Sequence, residues 1–207
     1  MPLQLLTPPA AEPVSLAEAK AHLRVDFNDH DALITALISA ARQAAETITG
    51  RQFLTARWKL VLDHFPGPSG RGVPAGSTFS LPGHAILLPK CPVQSVFAIE
   101  YLDMAGVTQT MPSAEYTVDT ACEPARLTPV FGKIWPIALP QIGAVAVTFD
   151  AGYGASAAVP EGIKSWIKLR VGSLYVHTEE VALLTRGSIA PLPFIDRLLD
   201  PYRVVTI

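Results

Sequence analysis

Apolar residues recur at helical spacing near both ends of the chain. In the stretch 160–178, steps of three and four residues predict a helix with a wide apolar face. The residues on that face are Ile163, Trp166, Ile167, Arg170, Val171, Leu174 and Tyr175. Lys164, Ser165 and Lys168 are expected on the opposite side, in contact with solvent. Because so wide an apolar face must be covered, we expect a second long helix to pack against it.

Two further helices are predicted near the N-terminus. Ser15 and Glu18 have the spacing of a capping box, in which each side chain bonds a backbone N–H group of the first turn, and this helix should end near Val25. Residues 29–49 again have apolar positions at helical spacing. The second helix is expected to have a polar cap and acidic first turn at its start and a glycine at its end, formed by Asn28, Asp29, Asp31 and Gly50. Residues 1–13 contain four prolines and predict an extended arm.

Between these helical regions the spacing of apolar residues changes from helical to alternating. In Arg57–Asp63, Trp58, Leu60 and Leu62 lie on one face of a predicted strand. Similar patterns predict strands at 85–88, 95–102, 107–111, 116–120 and 144–149. The short segment Asp103–Gly106 between two of them predicts a hairpin turn. Short strands with frequent turn signals indicate a small antiparallel sheet or a partial barrel.

The predicted fold class is therefore α+β, with a helical core formed by the N- and C-terminal helices and an inserted small antiparallel β subdomain. We assign residues 1–56 to an N-terminal arm and helical part, and 57–150 to the inserted β-rich subdomain. Residues 151–207 form a C-terminal helix and a C-terminal arm. The two helical parts are expected to pack as one domain.

Composition limits the classes of function. The chain has 207 residues, of which 49% are hydrophobic and only 16% charged, with a formal net charge of −2. So few charges indicate that part of the surface is covered by other proteins. The chain is not basic enough for nucleic-acid binding to be its main source of affinity. Because no apolar run approaches the ~18 residues of a membrane span, and no basic residue precedes the first apolar patch, we expect a protein made and used in a cytoplasm.

Catalytic and metal-binding patterns are sparse. Ser165 and Lys168 have the SxxK spacing of serine acyl-enzymes, but no SDN or KTG sequence accompanies it. A small serine hydrolase using Ser165 and Lys168 is kept as an alternative. His177 and Glu180, three residues apart, are better explained as a solvated helix end than as metal ligands. We predict no enzyme, no catalytic residue, no metal and no cofactor, and we interpret Cys91 and Cys122 as ordinary thiols.

Seven segments taken together carry a family signature. Four of them are SLAEAKAHLRVD (Ser15–Asp26), DALITALISAARQAAETITGRQ (Asp31–Gln52), PVQSVFAIEYLDMAGVTQT (Pro92–Thr110) and YTVD (Tyr116–Asp119). The others are FGKIWP (Phe131–Pro136), AGYG (Ala151–Gly154) and VPEGIKSWI (Val159–Ile167). In this order they resemble the head–tail connector proteins, also called adaptor or head-completion proteins, of tailed bacteriophages and gene-transfer particles.

The resemblance implies a structural virion protein at the head–tail interface, assembled in the bacterial host cytoplasm. Family members form a ring with copies of themselves, commonly a dodecamer, which docks on the portal protein and extends the DNA channel toward a tail-side connector or stopper protein. DNA would pass through without specific binding, and no membrane is involved. The alternative within the same class is another virion-assembly or tail-end module.

The resemblance also assigns portal binding to the C-terminal segment. In this chain the residues concerned are Phe194, Ile195, Leu198, Leu199 and Tyr202. Their apolar spacing allows two alternatives, namely binding to a neighbouring protein or packing onto the chain's own helical core.

Overall fold

The computed structural model describes residues 2–67, 85–177 and 197–204. Within these residues it contains three α-helices and eight β-strands, and every strand pairing is antiparallel. The prediction of a mixed α+β fold is therefore confirmed. The chain divides into two compact units. A β unit contains the described residues of Met1–Pro8 and Thr55–Gly152, and a helical unit contains those of Pro9–Leu54 and Tyr153–Val204.

The helical unit contains α1 (Leu16–Leu23), α2 (Asp31–Thr49) and α3 (Glu161–Val176). All three helices contribute to one buried apolar cluster, in which the largest fully buried side chain is Trp166 of α3. The other buried members of the cluster in the helices are Ala19, Ile34, Ile38, Ala41, Ala45, Ile163, Ile167 and Val171. The alanines of α2 allow close approach of a neighbouring helix.

Two of the predicted helix ends are confirmed by the structure, and one predicted helix cap is wrong. Ser15 and Glu18 form the predicted capping box, with the Glu18 carboxylate accepting from the Ser15 backbone N–H at 2.7 Å. Gly50 ends α2 in the left-handed conformation, as predicted. The predicted side-chain cap of α2 is wrong, because His30 occupies that position without a side-chain hydrogen bond. The Asn28 side chain instead accepts a hydrogen bond from Lys20 at 2.7 Å.

Two residues of α3 lie on the side opposite to the one predicted. Lys164 was expected to face solvent but is buried, whereas Arg170 was expected on the covered face and is exposed. The Lys164 ammonium is 3.0 Å from the exposed Glu161 carboxylate. A lysine can bury its long apolar stem while its charge is paired near the surface, and helical spacing alone does not reveal this.

The β unit contains two sheets. A five-stranded sheet has the order β1-β2-β8-β4-β5, and a three-stranded sheet has the order β3-β7-β6. The strands are β1 (Leu3–Thr7), β2 (Ala56–Leu62), β3 (Ile86–Leu88), β4 (Val93–Leu102), β5 (Thr108–Thr110), β6 (Tyr116–Asp119), β7 (Ala125–Pro129) and β8 (Val145–Ala151). Strand β8 lies between β2 and β4 and is buried along almost its whole length. Its mostly apolar sequence, without strict alternation, is therefore explained by coverage on both faces.

Strands β1 and β7 were not predicted. Residues 3–7 lie in the predicted extended arm, but they pair with β2, with Leu3 opposite Leu60 and Leu5 opposite Trp58. This pairing joins segments about fifty residues apart, so no local pattern reports it. Among the described residues, none of the helices is both long and apolar enough to span a membrane.

Candidate interaction surface

The C-terminal residues predicted to bind a partner lie partly in the helical core. Leu199 is fully buried in the apolar cluster, and Leu198 and Tyr202 pack against that cluster while half-buried. The Tyr202 carbonyl accepts a hydrogen bond from the Arg51 side chain. Leu199 therefore packs onto the chain's own helical core, which is one of the two alternatives that its spacing allowed. Portal binding by this segment stays a prediction. Phe194 and Ile195 lie outside the described residues.

A buried polar network supports the same unit. The Arg42 guanidinium donates to Glu12 at 2.7 Å and to Glu46 at 2.8 Å. The second oxygen of the Glu46 carboxylate accepts from the Gln52 side chain at 2.8 Å and from the Phe53 backbone N–H at 3.0 Å. Each buried charge thus meets an opposite charge or a hydrogen-bond donor. The network ties the segment before α1 and the segment after α2 to the middle of α2.

Two connections of the β unit carry several strongly exposed apolar side chains. The first is the turn between β4 and β5, and the second is the connection between β7 and β8. Six large apolar side chains in these connections are between 54% and 105% exposed: Met104, Val107, Phe131, Ile134, Ile137 and Ile142. We call this set the apolar tip. Single exposed apolar side chains are ordinary, but six in two connections mark a candidate interaction surface.

Backbone hydrogen bonds bring the two connections together at one end of the five-stranded sheet. The Leu139 N–H donates to the carbonyl of Leu102, the last residue of β4, at 2.9 Å. The Gly143 N–H donates to the Asp63 carboxylate, just after β2, also at 2.9 Å. Within the second connection Trp135 is buried, with its ring stacked on Phe65 at a centroid distance of 4.9 Å. The exposed side chains therefore project from a segment that is anchored on both sides.

The turn that carries Met104 and Val107 is held by Asp103. Its carboxylate accepts from the Gln109 side chain at 2.8 Å and from the backbone N–H groups of Ala105 and Val107 at 2.9 and 3.0 Å. These bonds stabilise the anion, with Gln109 contributing most, and they lower the pKa of Asp103. The predicted hairpin at Asp103–Gly106 is thus confirmed, with β4 and β5 paired on either side of it.

One pair of opposite charges joins the second connection, within the apolar tip, to Glu115. Lys133 lies between Phe131 and Ile134, and its ammonium is 3.7 Å from the Glu115 carboxylate in an exposed ion pair. Such a pair contributes little to stability, but it leaves no net charge at this position.

A cross-strand ion pair joins β6 to β7. Asp119 lies opposite Arg126, whose guanidinium donates to the carboxylate, with one of the two contacts at 3.1 Å. The Arg126 hydrogen bonds, followed by those of Cys122 and the Ala121 backbone, lower the pKa of Asp119 from the ordinary 3.8 to about 2.

We expect this pair to make the stability of the β unit dependent on acidity. Because the pKa is lower in the folded state, the contribution is complete above about pH 4 and is lost as the pH falls toward about pH 2. Urea unfolding should show Asp119→Asn less stable than the wild type at neutral pH and nearly equal to it at about pH 2. Asp29→Asn, at an exposed residue of the helical unit, is the control. An unchanged gap at both pH values would contradict the assignment.

The other sequence candidates do not form a site in the described part of the chain. Ser165 and Lys168 are half-buried on α3 and are not hydrogen-bonded to each other. The His30 ring is 2.6 Å from the Tyr175 hydroxyl. Across residues 2–67, 85–177 and 197–204, no group of three or more His, Cys, Asp or Glu side chains is placed to hold a metal ion.

The apolar tip is the feature that the sequence patterns did not identify. The sequence patterns predicted no helix or strand in most of its second connection, where Phe131–Pro136 entered only as part of the family signature. Its large apolar residues have neither helical nor alternating spacing, so no local pattern distinguishes the buried Trp135 from its exposed neighbours.

The chain is similar to one protein family over part of its length and to several solved structures over its full length. Residues 13–78 match the family model described as phage gp6-like head-tail connector protein. A chain in the neck of an empty gene transfer agent particle, computed with C6 symmetry, is 24% identical with a TM-score of 0.74. A chain in the virion of a native particle of that kind is 23% identical with a TM-score of 0.76.

A third similar chain comes from the neck of a native particle computed with C12 symmetry, with 24% identity and a TM-score of 0.72. In all three comparisons the match covers 100% of this chain and 97% of the other. None of the curated proteins matches. At such identities the structural likeness establishes the fold. The predicted resemblance to head–tail connector proteins is therefore confirmed, by the family model over residues 13–78 and by the fold over the whole chain.

Proposed function

We propose that this protein is a structural head–tail connector whose copies form a ring, dock on the portal protein at the capsid vertex and extend the DNA channel toward the tail. The observation that carries the proposal is the match of its full length to neck chains of gene transfer agent particles, together with the connector family match at residues 13–78. The symmetry of those necks supports a cyclic arrangement of copies. The matched family consists of connector proteins rather than enzymes.

Composition is consistent with this role. A ring requires a heterologous interface, in which two different surface patches meet and the rotation closes. A chain with only 16% charged residues and exposed apolar connections has the surface for such contacts. A net charge of −2 also suits a channel that conducts DNA without holding it. The remaining partners would be a tail-side connector or stopper protein, and assembly would take place in the host cytoplasm.

The test is to mix this protein with the portal protein from the same source and to measure native mass and negative-stain images. We expect the portal ring to gain a stoichiometric set of these subunits as one additional layer. If the two proteins stay separate at concentrations where the portal ring is intact, portal docking is wrong. Binding to a tail protein instead would favour the tail-end alternative.

A further inference from the structure

We propose that the C-terminal segment 197–204 is exchanged between copies of this chain, so that each subunit of the ring packs this segment into the helical unit of its neighbour. We call residues 197–204 the strap, and the place where they lie on the helical unit the strap site. The inference rests on the proposed function, since it assigns a contact between ring neighbours. In the single chain the strap lies in the strap site of its own helical unit.

The strap is bound by a buried side chain and by hydrogen bonds to its backbone. Leu199 is fully buried in the apolar cluster of the helical unit. The Val204 N–H donates to the Thr49 carbonyl at 2.8 Å, and the Arg51 side chain donates to the Tyr202 carbonyl. A strap of identical sequence from another copy can make every one of these contacts.

Two glycines give the strap site its shape. A Cβ atom at Gly162, in the first turn of α3, would lie 3.0 Å from the Tyr202 hydroxyl oxygen and 3.2 Å from its ring. A Cβ atom at Gly50, at the end of α2, would lie 3.7 Å from the Cβ atom of Val204. Tyr202 thus packs directly on the backbone of α3. The strap site fits this sequence closely, and a second copy supplies the same sequence.

The chain between α3 and the strap is longer than a return to its own strap site requires. α3 has 16 residues, so its end lies about 24 Å from its start, where Tyr202 packs. An extended chain covers that distance with about eight residues. The stretch 177–196 can span up to about 65 Å at its full extension. A unit of roughly 100 residues is about 35 Å across, so the strap can reach the strap site of an adjacent subunit.

Exchange between neighbours gives the kind of contact that a ring requires. In a cyclic ring each subunit meets its two neighbours through two different surfaces. The strap and the strap site are two different surfaces that fit each other, and every subunit carries one of each. The similar neck chains come from necks computed with C6 and C12 symmetry. Exchange around such a ring replaces each contact within a chain by the identical contact between chains, so the free energy of the contact is kept.

Burial favours exchange over release of the strap to another protein. If the strap left its site to bind the portal, the place of Leu199 in the apolar cluster would become a cavity, and a cavity in a core is strongly destabilising. In an exchanged ring every strap site is filled by the Leu199 of a neighbour. The chain then contacts a second copy without opening its core.

The experiment traps the strap in its site with a disulfide. The Cβ distance of 3.7 Å between positions 50 and 204 lies within the range of about 3.5–4.5 Å found in disulfides. The full chain with Gly50→Cys, Val204→Cys and Cys122→Ser is assembled with the portal protein, oxidised, and separated on a denaturing gel without reductant. We expect a ladder of covalently linked subunits that collapses to monomers on reduction. The matched control, Gly50→Cys with Val176→Cys in the same background, places the second thiol at the opposite end of α3 and should give no ladder.

A second measurement adds no cysteine, because a side chain at the left-handed Gly50 is strained. The Leu199→Asp protein keeps its strap site but cannot bury its own strap. The Gly162→Leu protein keeps its strap, but the added side chain meets Tyr202 in its strap site. In native mass spectrometry an equal mixture should contain one-to-one heterodimers, whereas each variant alone should be monomeric. A mixture without heterodimers would contradict the exchange.

The outcomes separate this inference from the proposed function. Rings on the portal that contain only disulfides within single chains would overturn the exchange and leave the connector function standing. Rings with neither kind of disulfide would show that the strap leaves its site, as a portal-binding arm would, and they too would overturn the exchange. Covalent ladders without any binding to the portal would support the exchange and contradict portal docking. A wild type that stays monomeric at every concentration, alone and with the portal, would overturn both.

Discussion

Replacing Glu46 with alanine is expected to destabilise the helical unit by about 3–5 kcal/mol, because two buried donors lose this acceptor and the buried Arg42 guanidinium loses one of its two carboxylate partners. Glu46 is 8% exposed, and its carboxylate accepts hydrogen bonds from Arg42, Gln52 and the Phe53 backbone. The attraction between two buried charges barely exceeds their desolvation, but removing Glu46 leaves the Arg42 charge with Glu12 as its remaining partner and removes the acceptor of two further buried donors. The loss should therefore far exceed that of an exposed ion pair.

Urea unfolding followed by the helical circular dichroism signal, which comes from α1, α2 and α3, measures this effect. Glu115→Ala is the matched control, because its partner Lys133 is 3.7 Å away and both side chains are largely exposed. The control should change stability by about 1 kcal/mol or less. Equal losses in the two variants would show that the network does not support the helical unit.

Replacing Leu199 with alanine should cost about 2–5 kcal/mol, the usual effect of emptying a fully buried leucine site. Leu199 is 0% exposed and belongs to the same apolar cluster as Trp166. If the C-terminal segment were only an arm for binding another protein, the same substitution would leave the isolated chain as stable as the wild type. The experiment thus distinguishes the two alternatives that the apolar spacing left open.

Thermal unfolding of the isolated chain provides the measurement, with Leu33→Ala on the exposed side of α2 as control. We expect a clear loss of stability for Leu199→Ala and a small one for Leu33→Ala. A Leu199→Ala protein that is stable alone but fails to bind the portal would reverse the assignment. In that case the residue would act at the interface and not in the core.

The local chemistry of the sequence predicted the elements whose signals are contained within a few residues. Ser15 and Glu18 specify the start of α1 because the capping box satisfies backbone groups of a single turn. Gly50 specifies the end of α2 because the left-handed conformation there is strained for residues with a side chain. Asp103 and Gly106 specify the hairpin in the same way, through bonds within the turn itself.

Other features depend on partners far away in the chain, and only the tertiary structure decided them. Residues 3–7 became a strand because β2 offered an edge to pair with, and Leu199 became a core residue because α2 and α3 left a site for it. Lys164 is buried on α3, with its ammonium 3.0 Å from the Glu161 carboxylate.

The apolar tip belongs to the second group. Its residues lack any regular spacing, and their exposure follows from how the connection between β7 and β8 is anchored by Trp135, Leu139 and Gly143. By itself the sequence determined the fold class, most of the elements and the resemblance to connector proteins, since each depends on local spacing or on ordered motifs. The tertiary structure decided which apolar residues form cores and which stay exposed, because burial depends on contacts between distant segments.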